Sequence, residues 1–230
     1  MNPPDKEQII GILCEDANLG LAEHEVLGRL AERTERVHYE KGQYVFRAGD
    51  PSTHYYMVES GRVILSKEAP SGKVFTYLIA VRGMTLNAVT CFRPRPRLFS
   101  ARVQESATLL AIPSEVFSQW VLDCPAVASG ILDTMGELLD GAYTRILDII
   151  DESAERRILN ALNMLTARIG PDLPLTNADV AEMTGVSRET AARVVSRLQE
   201  VGLIAKSRGA IRILNRDQLD ELSTSPFFIL

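Results

Sequence analysis

Three residues in one short stretch, Arg188, Glu189 and Arg193, carry the groups that can read the edge of a base pair. A guanidinium matches the O6/N7 acceptor pair of guanine, and a carboxylate accepts from the N4 amino group of cytosine. On a helix, with Arg188 at zero, they fall at about 0°, 100° and 140°. Ala191, Val194, Val195, Leu198 and Val201 fall between about 220° and 340°, which predicts one buried face opposite the polar one. Thr176, Ser187, Thr190, Arg197, Lys206 and Arg208 add hydroxyls and cations suited to phosphate oxygens, contacts that fix a frame without reading sequence. The surrounding stretch, 156–216, has ten Lys/Arg against five Asp/Glu, a net +5 in a chain of formal charge −5. A basic block on an acidic body predicts a module that meets a polyanion, with double-stranded DNA the partner that base-reading side chains require.

Other chemistries are poorly supplied. The chain has no G-x-S-x-G, no H-E-x-x-H and no phosphate-binding glycine loop ending in Lys-Ser/Thr, so no catalytic residue is assigned and an enzyme is not expected. Three cysteines, Cys14, Cys91 and Cys124, are too few and too scattered for a disulfide framework or a four-thiolate metal site. No run of about 18 apolar residues offers a membrane span. The polar, acid-bearing start Met1–Glu7 does not read as a signal peptide, and a cytoplasmic protein without a membrane partner is expected. Arg93-Pro94-Arg95-Pro96-Arg97 places three guanidiniums on a proline-stiffened loop, an array suited to a carboxylate or phosphate.

The elements that must position these groups follow from periodicity. With 230 residues, 46% of them hydrophobic, the chain can build one large or two modest cores. Residues 21–34 read as a short amphipathic helix. From 36 to 113, short runs (Tyr44–Phe46, Tyr55–Val58, Arg62–Leu65, Phe75–Ile79, Thr108–Ile112) alternate with turn signals that include Ser60-Gly61, predicting a small barrel or sandwich. Over 127–151, Leu132, Met135, Leu139, Ala142, Ile146 and Ile149 are spaced 3, 4, 3, 4, 3, the seam of a coiled coil. Val127, Ile131, Leu138, Leu147 and Ile150 widen that stripe, as a helix packed on its own domain and on a second copy of the chain requires. Thr176-Asn177-Ala178-Asp179 starts a capped helix, Gly185-Val186 turns, and Ser187 caps a second helix from Arg188 to about Glu200. A β-hairpin wing over Leu203–Lys206 and Ala210–Leu214 follows this helix-turn-helix.

Leu175-Thr176, Asp179-Val180-Ala181, Gly185-Val186-Ser187-Arg188-Glu189-Thr190 and Arg193–Leu198, followed by Gly202-Leu203-Ile204, resemble the winged helix-turn-helix of the cyclic AMP receptor protein–FNR family. Tyr39-Glu40-Lys41-Gly42, Phe46–Asp50 and Val58–Val63 are similar to its N-terminal β-roll. The resemblance implies an α+β protein in three parts: a cyclic-nucleotide-binding-type β-roll (jelly roll) sensor over 1–126, a dimerisation helix over 127–152, and a winged helix-turn-helix over 153–230. It further implies a homodimeric bacterial transcription factor, with RNA polymerase as a partner. The Arg-Glu-x-x-x-Arg spacing is similar to that of the branch reading TGTGA half-sites, rather than the TTGAT of the FNR branch.

The effector site departs from the family's nucleotide-binding pattern. Aligned back from Leu109–Pro113, the ribose-binding glutamate falls on Asn87, the phosphate-binding arginine on Arg97 and its serine partner on Leu98. The adenine-reaching hydroxyls of the dimer helix fall near Gly141 and Ala142. Asn87, Arg97, Leu98 and Ala142 are therefore the effector candidates, and one matching arginine implies a signal other than cyclic AMP. The four cysteines of the FNR cluster are missing. His24, His38 and His54 are the available haem ligands and Cys14 with Cys124 a conceivable redox pair, so the cofactor is unassigned. A regulatory subunit acting on an enzyme, or a haem-, NO- or redox-sensing relative, are the alternatives.

Overall fold

The computed structural model describes residues 3–86, 88–93 and 95–223. The chain forms two compact units, Met1–Asp133 and Thr134–Leu230, whose boundary falls within one long helix.

The N-terminal unit is built on an antiparallel roll. Its central strand, β3 (His54–Glu68), pairs with β4 (Val74–Ala80) on one side and β5 (Ser100–Pro113) on the other. β1 (Glu35–Tyr39) and β2 (Tyr44–Phe46) both add to β5. Inward positions alternate along these strands, as a half-buried sheet requires, and Val58, Val63, Leu65, Val103, Ala107 and Leu109 are fully buried. The turn expected at Ser60-Gly61 is not there: β3 runs through it as one strand. Gly61 has φ +83°, and a Cβ on it would stand 2.3 Å from the Ser106 carbonyl oxygen. The β3–β5 register shifts three times between Val58 and Val63, so the glycine serves a bulge rather than a chain reversal.

Helices brace this roll. α1 (Pro3–Leu13), which the sequence pattern did not single out, buries Ile9, Ile10, Ile12 and Leu13. The helix expected over 21–34 is shorter: α2 spans His24–Ala31, since Leu19–Leu21 form a separate 3₁₀ turn and Ala22 and Glu23 are extended. Downstream, Thr34 Oγ1 donates back to the Leu30 carbonyl at 2.9 Å and closes the helix end. Trp120 on α3 (Ser114–Leu122) donates its indole N–H to the Val26 carbonyl at 3.0 Å, pinning α3 to α2.

α4 (Pro125–Asp151) starts with Val127 and Ile131 buried in the N-terminal unit. Along the seam Leu132, Leu139, Ala142, Ile146 and Ile149 are exposed and Met135 is half-buried. Leu147 and Ile150 are also exposed, so the single chain leaves a long apolar stripe uncovered.

The C-terminal unit packs α5 (Ala154–Ile169), α6 (Asn177–Thr184), α7 (Arg188–Glu200) and α8 (Arg216–Leu222) with a three-stranded sheet. That sheet has the order β6 (Asp172–Leu173), β8 (Ala210–Ile213), β7 (Ile204–Ser207). Ile158, Leu162, Val180, Ala191, Val195, Leu198, Ile211 and Leu219 fill its core. The buried face expected on the second helix holds for Ala191, Val194, Val195 and Leu198 but not for Val201, which is 59% exposed. α7 stops at Glu200, and Val201 has already left the helical path as its cap. Among the described residues no helix is long and apolar enough to cross a membrane.

Candidate nucleic-acid interface

The helix-turn-helix is held by two caps and one glycine. Thr176 Oγ1 accepts from Asp179 N at 3.2 Å, while Asp179 Oδ2 accepts from Thr176 N and Oγ1, both at 2.7 Å, a reciprocal capping box at the start of α6. Gly185 adopts φ 68°, ψ 27°, the left-handed conformation that turns the chain after α6. Ser187 Oγ then accepts from Thr190 N at 3.1 Å and donates to Thr190 Oγ1 at 3.1 Å. The hydroxyls of Thr176 and Ser187 thus have capping partners within the chain. Thr190 Oγ1, an acceptor here, keeps its own proton to donate.

Arg188, Glu189 and Arg193 are all exposed on the outer face at the start of α7. The backbone N–H of Glu189, the Ser187 hydroxyl and Arg188 nearby hold the Glu189 carboxyl below its usual pKa. It stays an anion and an acceptor at neutral pH. The helix-neighbour pair between Glu189 and Arg193 is not among the ion pairs of the described residues. Two acids not weighed individually in the sequence do engage the arginines. Glu182 Oε1 on α6 lies 3.7 Å from Arg188 Nη2, and Glu155 Oε2 on α5 lies 2.9 Å from Arg197 Nη1. Glu182 is visible as an acid inside the basic block and Glu155 stands one residue before it; their pairing is not visible, because it joins different helices. Lys206 and Arg208 are exposed on the β7–β8 hairpin, so the wing carries cations as expected.

The effector candidates differ in their surroundings. Asn87 lies outside the described residues. Leu98 is half exposed and apolar, with no hydroxyl to offer an anion, and Ala142 is exposed on α4. Arg97 corrects the expectation of three displayed guanidiniums: it is only 3% exposed. Its guanidinium lies 3.8 Å over the Phe46 ring and 5.6 Å from that of Tyr56. It also donates to the His54 carbonyl and, at 3.3 Å, to Thr90 Oγ1. Burial pulls its pKa down, with Cys91, Tyr56 and Asp50 opposing. The position aligned with a phosphate-binding arginine is occupied internally, and the residues that hold Arg97 left no signal in the sequence because one of them is a backbone carbonyl.

The sulfur and imidazole candidates have local partners. Cys14 is exposed, Cys91 and Cys124 are half-buried, and all three are free thiols. Burial pushes the Cys91 and Cys124 thiols above their usual pKa, which disfavours the reactive thiolate. His24 lies 3.0 Å from Glu7, His38 3.2 Å from Glu40, and His54 2.9 Å from Thr53 Oγ1. Among the described residues no group of three or more His, Cys, Asp or Glu is placed to hold a metal ion.

Comparison with known proteins agrees with this architecture. A cyclic nucleotide-binding domain matches residues 36–123, and a Crp-like helix-turn-helix domain matches residues 156–222. The chain is 27% identical over 205 residues to the cyclic AMP receptor protein of Thermus thermophilus, covering 89% of this chain and 94% of that protein. It is 22% identical to the CRP-like cAMP-activated global transcriptional regulator of Mycobacterium tuberculosis, covering 86% of this chain and 92% of that protein. The structure of FixK2 from Bradyrhizobium japonicum has the same fold, with a TM-score of 0.74 at 17% identity over 84% of this chain and 98% of that one. Both domains in this order, on a roll and a winged helix-turn-helix, make the chain a member of the CRP/FNR family of bacterial transcriptional regulators, DNA-binding proteins.

Proposed function

We propose that the protein works as a homodimer that reads TGTGA-like inverted half-sites and answers, through its β-roll, a signal other than cyclic AMP. The observation that carries the DNA reading is the outer face of α7. Arg188, Glu189 and Arg193 stand exposed at its N-terminal end, the end that a recognition helix inserts into the major groove. Dimerisation is supported by the uncovered stripe on α4, which a second copy would bury along Leu132, Met135, Leu139, Ala142, Ile146 and Ile149. Two-fold symmetry then sets inverted half-sites about one helical turn apart. On this reading residues 1–126 sense, 127–152 dimerise and 153–230 bind DNA in the cytoplasm, and RNA polymerase enters as a partner through the family resemblance alone. The two receptor relatives are named for cyclic AMP; in this chain Arg97 is engaged internally and Leu98 is apolar, which supports a different signal.

Binding-site selection with wild type and Glu189→Ala tests the base assignment. The variant should lose preference at one C·G pair per half-site while the guanine contacts of the arginines persist, and identical logos would sink the assignment. Arg188, Arg193, Arg197, Lys206 and Arg208, doubled in a dimer, should give a slope of log K against log salt on the order of −5 to −8. A slope near zero would mean that the basic block faces something else. Calorimetric titration should show no saturable cyclic AMP binding at micromolar affinity; such binding would overturn the effector reading and leave the DNA reading standing.

A further inference from the structure

The loop before Arg97 keeps two guanidiniums that the fold does not use. Arg93 and Arg95 are exposed, and among the described residues neither has a salt-bridge or side-chain hydrogen-bond partner. Both line a cavity of about 360 Å³ with Gly49, Pro51, Ser52 and Pro96. No acid lines it. Asp50, the acid of the facing loop, accepts from Arg47 N at 2.7 Å and lines the adjoining cavity with Arg97 instead.

The two walls are fixed relative to each other. Gly49 N donates to the Arg97 carbonyl at 2.9 Å, and Arg97 N donates to the Asp50 carbonyl at 2.8 Å. Arg95 N closes on the Arg93 carbonyl at 2.7 Å, and Pro96 restricts the same segment. Ser52 Oγ contacts Thr90 Oγ1 at 2.9 Å, the same hydroxyl that accepts from Arg97. A chain of hydroxyls therefore joins the outer cavity to the buried arginine.

We propose that Arg93, Arg95 and Ser52 form a binding site for the phosphate groups of a small phosphorylated ligand at the mouth of the β-roll. Two guanidiniums and a hydroxyl facing one acid-free cavity fit a compact, multiply charged oxyanion, which accepts bidentate bonds from arginine. A ligand that engages Ser52 would also bias the Thr90–Arg97 contact. The site deepens the reading that the roll answers something other than cyclic AMP, and it rests on that reading.

The test uses the full-length protein and pyrophosphate as the probe, titrated calorimetrically, with sulfate at matched ionic strength, succinate and cyclic AMP as separate arms. Wild type should bind pyrophosphate saturably and more tightly than sulfate or succinate. Arg93→Gln/Arg95→Gln should weaken binding by about tenfold or more, with Ser52→Ala and the single Arg95→Gln lying between. Arg188→Gln/Arg193→Gln, which disarms the DNA face, should leave pyrophosphate affinity unchanged. Equal affinity in wild type and the loop double variant overturns the site, and so does loss of binding in the DNA-face variant alone. Equal responses to pyrophosphate and sulfate reduce it to unselective charge attraction and overturn the assigned ligand. If the loop variant instead lowers DNA affinity or the salt slope, the cations serve the DNA backbone and the small-ligand assignment fails. Micromolar cyclic AMP binding that survives the loop substitutions overturns the underlying effector reading without deciding the pyrophosphate arm.

Discussion

Removing Arg97 separates an internal clamp from a ligand contact. In Arg97→Ala the Phe46 ring loses a guanidinium 3.8 Å away, an interaction worth about 2 kcal/mol where it is desolvated. The His54 carbonyl loses a charged donor, about 1.5–3 kcal/mol, while the longer 3.3 Å bond to Thr90 contributes less. Against this stands the cost of burying a cation, relieved when the side chain is removed, together with water entering beside the adjoining cavity. A net loss of about 2–4 kcal/mol follows, or roughly 5–12 °C in the melting temperature of a unit this size. Trp120, the single tryptophan, is 8% exposed in the N-terminal unit and reports its unfolding by fluorescence without interference from the other unit. Arg97→Lys should recover little, since an ammonium keeps the charge but neither the planar face nor the fork of donors. A variant melting within about 2 °C of wild type would refute the clamp, because an unused arginine costs about nothing to remove. The case against it would be complete if cyclic AMP then raised the wild-type transition and not that of the variant.

On α4, Leu139→Glu places a carboxylate on the uncovered stripe, where dimer formation would desolvate it unpaired at a cost of several kcal/mol. Analytical ultracentrifugation should show a monomer, and an unchanged dimer would move the interface elsewhere. At Asp16, burial raises the carboxyl pKa although Asn18 N and Leu19 N both donate to its Oδ1, at 2.9 and 3.0 Å. An acid whose folded pKa lies above its unfolded value destabilises the fold at high pH, and this penalty disappears as pH falls through the raised pKa toward 3.8. Asp16→Asn keeps Oδ1 and both bonds, so it should raise the melting temperature at pH 7 and give little gain near pH 4; equal gains at both would contradict the burial argument.

What could be read from the sequence was local. Thr176 and Asp179 three apart, Gly185 after a helix, Ser187 before one, and the apolar period of α4 are each complete within a few turns of chain, and the structure places elements where they point. What could not be read depends on a partner distant in sequence. Gly61 has the composition of a turn, and only the Ser106 carbonyl on the adjoining strand makes it a bulge. Val201 falls at a core angle, and only the end of α7 one residue earlier puts it in solvent. α1 has no clean apolar period, and its burial is decided by its packing against α2.

The arginines show how far residue type reaches before geometry decides. Arg193 stands exposed on the recognition face, and among the described residues no ion pair joins it to Glu189 four residues before it. Arg197, one turn further along, is tied at 2.9 Å to Glu155, so a phosphate contact there requires that pair to open or to be shared. Its contribution to DNA affinity is correspondingly smaller than its exposure suggests, since an exposed ion pair is worth about 1 kcal/mol or less but must still be displaced. Arg97 is enclosed by two rings and a carbonyl, while Arg93 and Arg95, four and two residues earlier, face an open cavity. Within one five-residue run the fold therefore divides its guanidiniums between structure and solvent. A ligand-responsive role belongs with the pair that the fold leaves unsatisfied, because a group already bonded internally must lose those bonds before it can gain from a ligand.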